Sequence, residues 1–157
     1  MLAVSVCNPA LAQAPAPVFV AVADFDNIDT SGESSDRTIA HAARVQAFGS
    51  FIRDNLALED TIKVVRLSCP GSPCTPRTIP PAQFIEAARD SGARLVVYGG
   101  IRKMSTLVQI GTVQALDLKT DRLVLDQHLT FRGDSDEAFL RAAIFVTDYL
   151  RNLPLSP

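Results

Sequence analysis

Apolar positions along the chain follow two rhythms. Val18-Phe19-Val20-Ala21-Val22-Ala23 runs apolar without alternation, the pattern of a strand covered on both faces. Residues 24–36 are polar and include Gly32; from Thr38 onward Val45, Phe48, Ile52 and Leu56 recur at the spacing of one helical face. Residues 61–67 are rich in β-branched side chains and predict a second strand. Pro80 and Pro81 open a short helix carrying Phe84, Ile85 and Ala88, with Gly92 as its C-terminal cap. Leu95-Val96-Val97-Tyr98 is a third strand, again apolar throughout, stopped by Gly99-Gly100.

Beyond those glycines the rhythm becomes antiparallel. Residues 107–117 and 123–132 flank the turn Lys119-Thr120-Asp121-Arg122, and the second segment sets Leu123, Leu125, Leu129 and Phe131 against Val124, Asp126, His128, Thr130 and Arg132. Asp134 and Glu137 have capping-box spacing before a last helix whose apolar face is Phe139, Ala142, Val146, Tyr149 and Leu153, ended by Pro154. The order is βαβαβββα. Right-handed crossovers that step one way from the first strand and then back across it put the first two helices on opposite faces. They predict an α/β fold with a mixed five-stranded sheet of order 2-1-3-4-5, helices on both faces, and the last helix against strand five.

At 157 residues, the chain is the size of one domain, expected over residues 18–153. A hydrophobic fraction of 47%, a charged fraction of 20% and a net charge of -2 describe a globular protein with no basic stripe for nucleic acid. Residues 1–12 read as a signal peptide, cleaved after Ala12 or, less favourably, Ala14, with residues 13–17 as an Ala/Pro linker. No Lys or Arg precedes Arg37, so the positive n-region is truncated and the start codon is expected upstream. Val6 stands where a lipobox needs a small residue, so Cys7 is not expected to carry lipid, and no stable membrane insertion is expected.

Export would leave two cysteines, in Cys69-Pro70-Gly71-Ser72-Pro73-Cys74. In an oxidising compartment this pair predicts a disulfide stapling a tight loop. A redox or metal pair is the alternative, although the spacing is not that of a thioredoxin-like motif.

Catalytic patterns are missing from the sequence. Its only histidines, His41 and His128, read as ordinary surface or partly buried residues, and there is no nucleophile elbow, zinc motif, phosphate loop or dinucleotide fingerprint. No catalytic residue, cofactor or metal is therefore expected. The least ordinary stretch is acidic: Asp24, Asp26, Asp29, Glu33 and Asp36. Asp24 and Asp26 point to one side at the end of strand one, and Asn27 adds a carbonyl, but the spacing departs from a calcium loop. The order of the sheet reverses between strands one and three, where open α/β sheets place ligands. That point nominates Asp24, Asp26, Asn27, Asp29, Gly99 and Gly100 as the candidate partner or ligand site.

Three segments carry a resemblance: Val20-Ala21-Val22-Ala23-Asp24-Phe25-Asp26-Asn27, Gly92-Ala93-Arg94-Leu95-Val96-Val97-Tyr98-Gly99-Gly100-Ile101, and Leu116-Asp117-Leu118-Lys119-Thr120-Asp121-Arg122-Leu123-Val124-Leu125. Together they resemble a family of predicted secreted proteobacterial proteins of unknown function. More distantly, residues 18–150 are similar to the amino-terminal domain of TolB and to the modules of LpoB and CsgG. The resemblance implies an anticodon-binding-domain-like fold and a non-enzymatic periplasmic accessory or scaffold role, with another envelope protein as partner. The competing expectation is a small-ligand or cation sensor using the loop after strand one. Strand five should be a sheet edge rimmed by His128, Thr130 and Arg132, giving a monomer or weak dimer.

Overall fold

A computed structural model of the chain describes residues 15–155. The expected signal segment, Cys7 included, lies outside them. Eight elements follow in order: β1 (Val18–Asp29), α1 (Ser35–Leu56), β2 (Ile62–Val65), α2 (Pro81–Asp90), β3 (Leu95–Lys103), β4 (Val108–Asp117), β5 (Arg122–Arg132) and α3 (Asp136–Arg151). The five strands form one mixed sheet in the order β2-β1-β3-β4-β5. β1 runs parallel to β2 and β3, while β3, β4 and β5 form an antiparallel meander. Sheet order, element order and the two helix layers agree with the expectation from the crossovers.

Each sheet face carries its own core. Val20, Val22, Phe25, Leu95, Val97, Val113 and Leu129 pack beneath α1 and α3. Ala21, Ala23, Val96 and Leu118 pack with Phe84 and Ala88 of α2, together with Cys74 and Ile79 of the preceding loop. The alanines on that side let a short helix and an irregular loop lie close to the strands. Gly92 follows α2 at φ +78, as a C-terminal glycine should.

Five local expectations are corrected. β1 does not stop at Ala23: a register shift between Val22 and Phe25 returns Phe25 to the core, and the strand continues to Asp29 against Gly99–Lys103 of β3. The Gly99-Gly100 pair therefore lies inside β3, because close backbone approach demands it. A Cβ at Gly99 would stand 2.0 Å from the Thr112 carbonyl oxygen, and one at Gly100 would stand 2.8 Å from the Asp26 Cβ. In β5 a bulge opposite Ala115 and Leu116 exchanges Leu123 and Val124, so Leu123 is exposed and Val124 packs on the core. In α3 the cap is Ser135, whose hydroxyl accepts from the Ala138 amide, and Leu150 rather than Tyr149 enters the core.

Candidate functional site

β2 is only four residues long and pairs with Val18–Ala21. Among the described residues, no strand flanks β1 on that side beyond Ala21. This unpaired stretch of β1 becomes the floor of a cleft of ≈ 1110 Å³, walled by α1 on one side and by the cysteine loop on the other. Ile39, Ala43, Gln46 and Arg53 line the helical wall; Ser72, Pro73 and Arg77 line the loop wall.

Of the candidate residues, Asp24, Asp26, Asn27 and Asp29 line this cleft, on a strand rather than a loop, whereas Gly99 and Gly100 do not line it. The Asp24 carboxylate accepts from the Cys74 amide at 2.9 Å and lies 3.8 Å from the Arg53 guanidinium. Asp26 accepts from the hydroxyl of fully buried Thr75 at 2.8 Å. These two carboxylates therefore fasten the cysteine loop to β1. Asp29 accepts from the Ser31 amide at 2.9 Å, the Ser31 hydroxyl at 2.6 Å and the Thr38 hydroxyl at 3.1 Å. The Ser31 hydroxyl and amide hold its pKa below the usual carboxylate value. Asn27 is exposed. Arg53 donates to the Val22 and Ala23 carbonyls at 3.2 and 3.3 Å, satisfying the strand where its regular pairing is interrupted.

Cys69 and Cys74 stand with Cα atoms 5.6 Å apart, a spacing that a disulfide can bridge. Gly99 and Gly100 act through close packing, allowing β1 and β4 to approach β3. No group of three or more His, Cys, Asp or Glu among the described residues is arranged to hold a metal ion.

A charged cluster behind α1 escaped the sequence reading. Lys103, at the end of β3, is 0% exposed, with its ammonium 2.5 Å from Glu33 and 2.6 Å from Asp134. His41 is also 0% exposed; its Nδ1 lies 3.2 Å from Asp134, and its ring meets Phe139 edge-on. Arg44 adds contacts of 3.1 Å to Asp134 and 2.8 Å to Asp136. Burial alone would lower the Lys103 pKa, but the hydrogen bonds its ammonium donates to Asp134 and Glu33 outweigh it and raise the value. Burial likewise opposes ionisation of Asp134, yet Lys103 and His41 hold its pKa below normal. His41 is thus not a surface residue: its position on the inward face of α1 places it against α3. His128 does lie on the open sheet face, its Nδ1 3.4 Å from the Thr112 hydroxyl. The sequence offered one clue to the cluster, Asp134 standing just before α3, but the capping reading absorbed it.

Among solved structures, TolB from Acinetobacter baumannii shares the fold with a TM-score of 0.57 at 15% identity. The match covers 88% of this chain and 28% of TolB, so the chain spans less than a third of that protein's length. A PelC dodecamer from Paraburkholderia phytofirmans gives 0.54 at 19% identity, covering 92% of this chain and 94% of PelC. The LpoB C-terminal domain from Escherichia coli gives 0.50 at 14% identity, covering 73% and 82%. No curated protein matches the chain by sequence. Residues 18–150 match the model of DUF3280, described as "Protein of unknown function (DUF2380)", and the chain belongs to that family.

Proposed function

We propose that this chain is an exported, non-enzymatic periplasmic module that docks another envelope protein in the cleft beside β1. The observation that carries this reading is the second half of β1, which has no strand partner on that edge among the described residues and lies between α1 and a loop tethered by Asp24 and Asp26. Peptide recognition by sheet edges uses such a site: main-chain groups supply affinity and flanking side chains supply selectivity. The resemblance to TolB- and LpoB-type modules supports a role in envelope assemblies, and PelC, of the same fold, forms a dodecamer. The Cys69–Cys74 disulfide belongs to the same proposal, as a staple for the cleft's outer wall in an oxidising compartment.

A small ligand is the second reading, favoured by the cleft's size. A cation fits less well, because Asp24, Asp26 and Asp29 are already engaged by amides, hydroxyls and Arg53. Crosslinking in intact cells followed by co-isolation tests the main reading. Ala43 is exposed on the cleft wall, so Ala43→Trp should fill the cleft, leave folding intact and abolish capture of the partner. Equal capture by both forms rejects the site. Thermal shift against metals and metabolites tests the ligand reading, since a ligand at 100 times its dissociation constant should stabilise by ~2.7 kcal/mol.

A further inference from the structure

We propose that the outer face of α3 is a self-association surface, on which two copies of this chain pack their α3 helices antiparallel about a two-fold axis between Ile144 and Phe145. Leu140, Ile144, Phe145 and Tyr149 of this helix are each 44–46% exposed. Among the described residues, no other helix or strand turns out more than one large apolar side chain to that extent.

At 3.6 residues per turn the four form two rows. Leu140 and Ile144 lie toward α1, where Leu140 lines a groove with Ala47 and Phe51. Phe145 and Tyr149 lie toward β5, ring against ring at 4.9 Å, and Phe145 lines the groove on that side. Their exposed parts amount to roughly 400 Å², the size at which an apolar patch marks an interaction site. With the stems of the charged side chains between the rows, two copies can bury on the order of 1,200 Å², the lower end for a specific complex.

The charges select the occupant. Between the apolar rows run Glu137, Arg141 and Asp148, continued by Arg151 at the end of the helix, so the signs alternate. Along the helix they pair as Glu137–Arg141 and Asp148–Arg151, and Arg151 also reaches Glu59 at 2.7 Å. Asp136, the remaining charge of α3, is turned to Arg44 of α1. Reversed, this alternation is its own complement. Antiparallel packing centred between Ile144 and Phe145 sets Arg141 opposite Asp148 of the second copy and brings Glu137 to the end that carries its Arg151. Parallel packing would oppose Arg141 to Arg141 and Asp148 to Asp148. A two-fold across the helix also returns each apolar row to itself, so Ile144 meets Ile144 and Phe145 meets Phe145 of the second copy.

Light scattering on a dilution series of the purified chain should show a reversible monomer–dimer equilibrium. Ile144→Glu sets two carboxylates face to face and should leave a monomer at every concentration, with an unchanged circular dichroism spectrum. R141D should raise the dissociation midpoint roughly tenfold or more in concentration, and the charge-swapped R141D/D148R should restore it. Ile144→Cys should cross-link to its counterpart under mild oxidation, because helices packed about 8–10 Å apart bring such Cα atoms within the span of about 4.4–6.8 Å that a disulfide bridges. Leu58→Cys, 76% exposed beyond α1, should not. A monomer throughout the wild-type series, a dimer indifferent to Ile144→Glu or R141D, a charge swap that does not restore it, cross-linking from Leu58→Cys but not from Ile144→Cys, or an assembly of more than two copies overturns the proposal.

Discussion

Lys103 sits where an ammonium has no water to turn to, and only Glu33 and Asp134 make its charge tolerable. Removing one member of a buried pair leaves the other charge uncompensated, so Lys103→Met should cost about 3–5 kcal/mol in urea unfolding. Because the folded pKa of Asp134 is lowered, the stability it contributes is present above about pH 4 and lost as pH falls through the folded value. The stability gap between wild type and Asp134→Asn should therefore shrink as the pH is taken below about 4, measured by urea midpoints at each pH. A gap independent of pH would show that the carboxylate is not held by charge. Two glycines make a second contrast at this scale. Gly99→Ala collides with the Thr112 main chain and should destabilise by about 1–3 kcal/mol or more, whereas Gly32→Ala meets no atom and suffers only its φ of +72, costing about 1 kcal/mol.

At the level of elements, the cysteine loop is a wall of the cleft and not an ornament. Cys74 is buried in the core beneath α2, and its amide is held by Asp24. Opening so short a ring should cost about 2 kcal/mol on the chain-entropy model, leaving the sheet intact. Thermal melts with and without reductant should show that loss, and hydrogen exchange should rise chiefly in the loop and along β1. Complete unfolding on reduction would mean that the loop organises the whole core. The first half of β1 was legible because Val18 to Ala23 is apolar on both faces. Its second half was not, because Asp24, Asp26 and Asp29 look like a solvated loop until Cys74, Thr75 and Ser31 are brought beside them. The glycines misled for the same reason: as sequence they break strands, while in the sheet they permit β3 to lie close to β1 and β4.

For the whole molecule, strand order followed from the crossovers, since parallel connections are right-handed and few topologies remain once two doubly covered strands are recognised. The cleft was only partly legible. The reversal of strand order pointed to the ends of β1 and β3, but the shortness of β2, which exposes β1, carries no mark in its own residues. The ion cluster was illegible, because Glu33, His41, Lys103 and Asp134 come from four separate segments that only the folded sheet brings together. On the proposed function, the face beside β1, not another surface, receives the partner. The most direct test places a photo-crosslinking side chain at single positions in cells making the full-length protein. Asn27 and Ile39 lie in the cleft, Thr130 on the β5 edge, and Leu58 beyond the far end of α1, all of them exposed. One discrete heterologous adduct, formed from Asn27 and Ile39 and absent from Leu58 and Thr130, is the predicted result. The same adduct from Leu58 or Thr130 with none from the cleft positions would contradict the account.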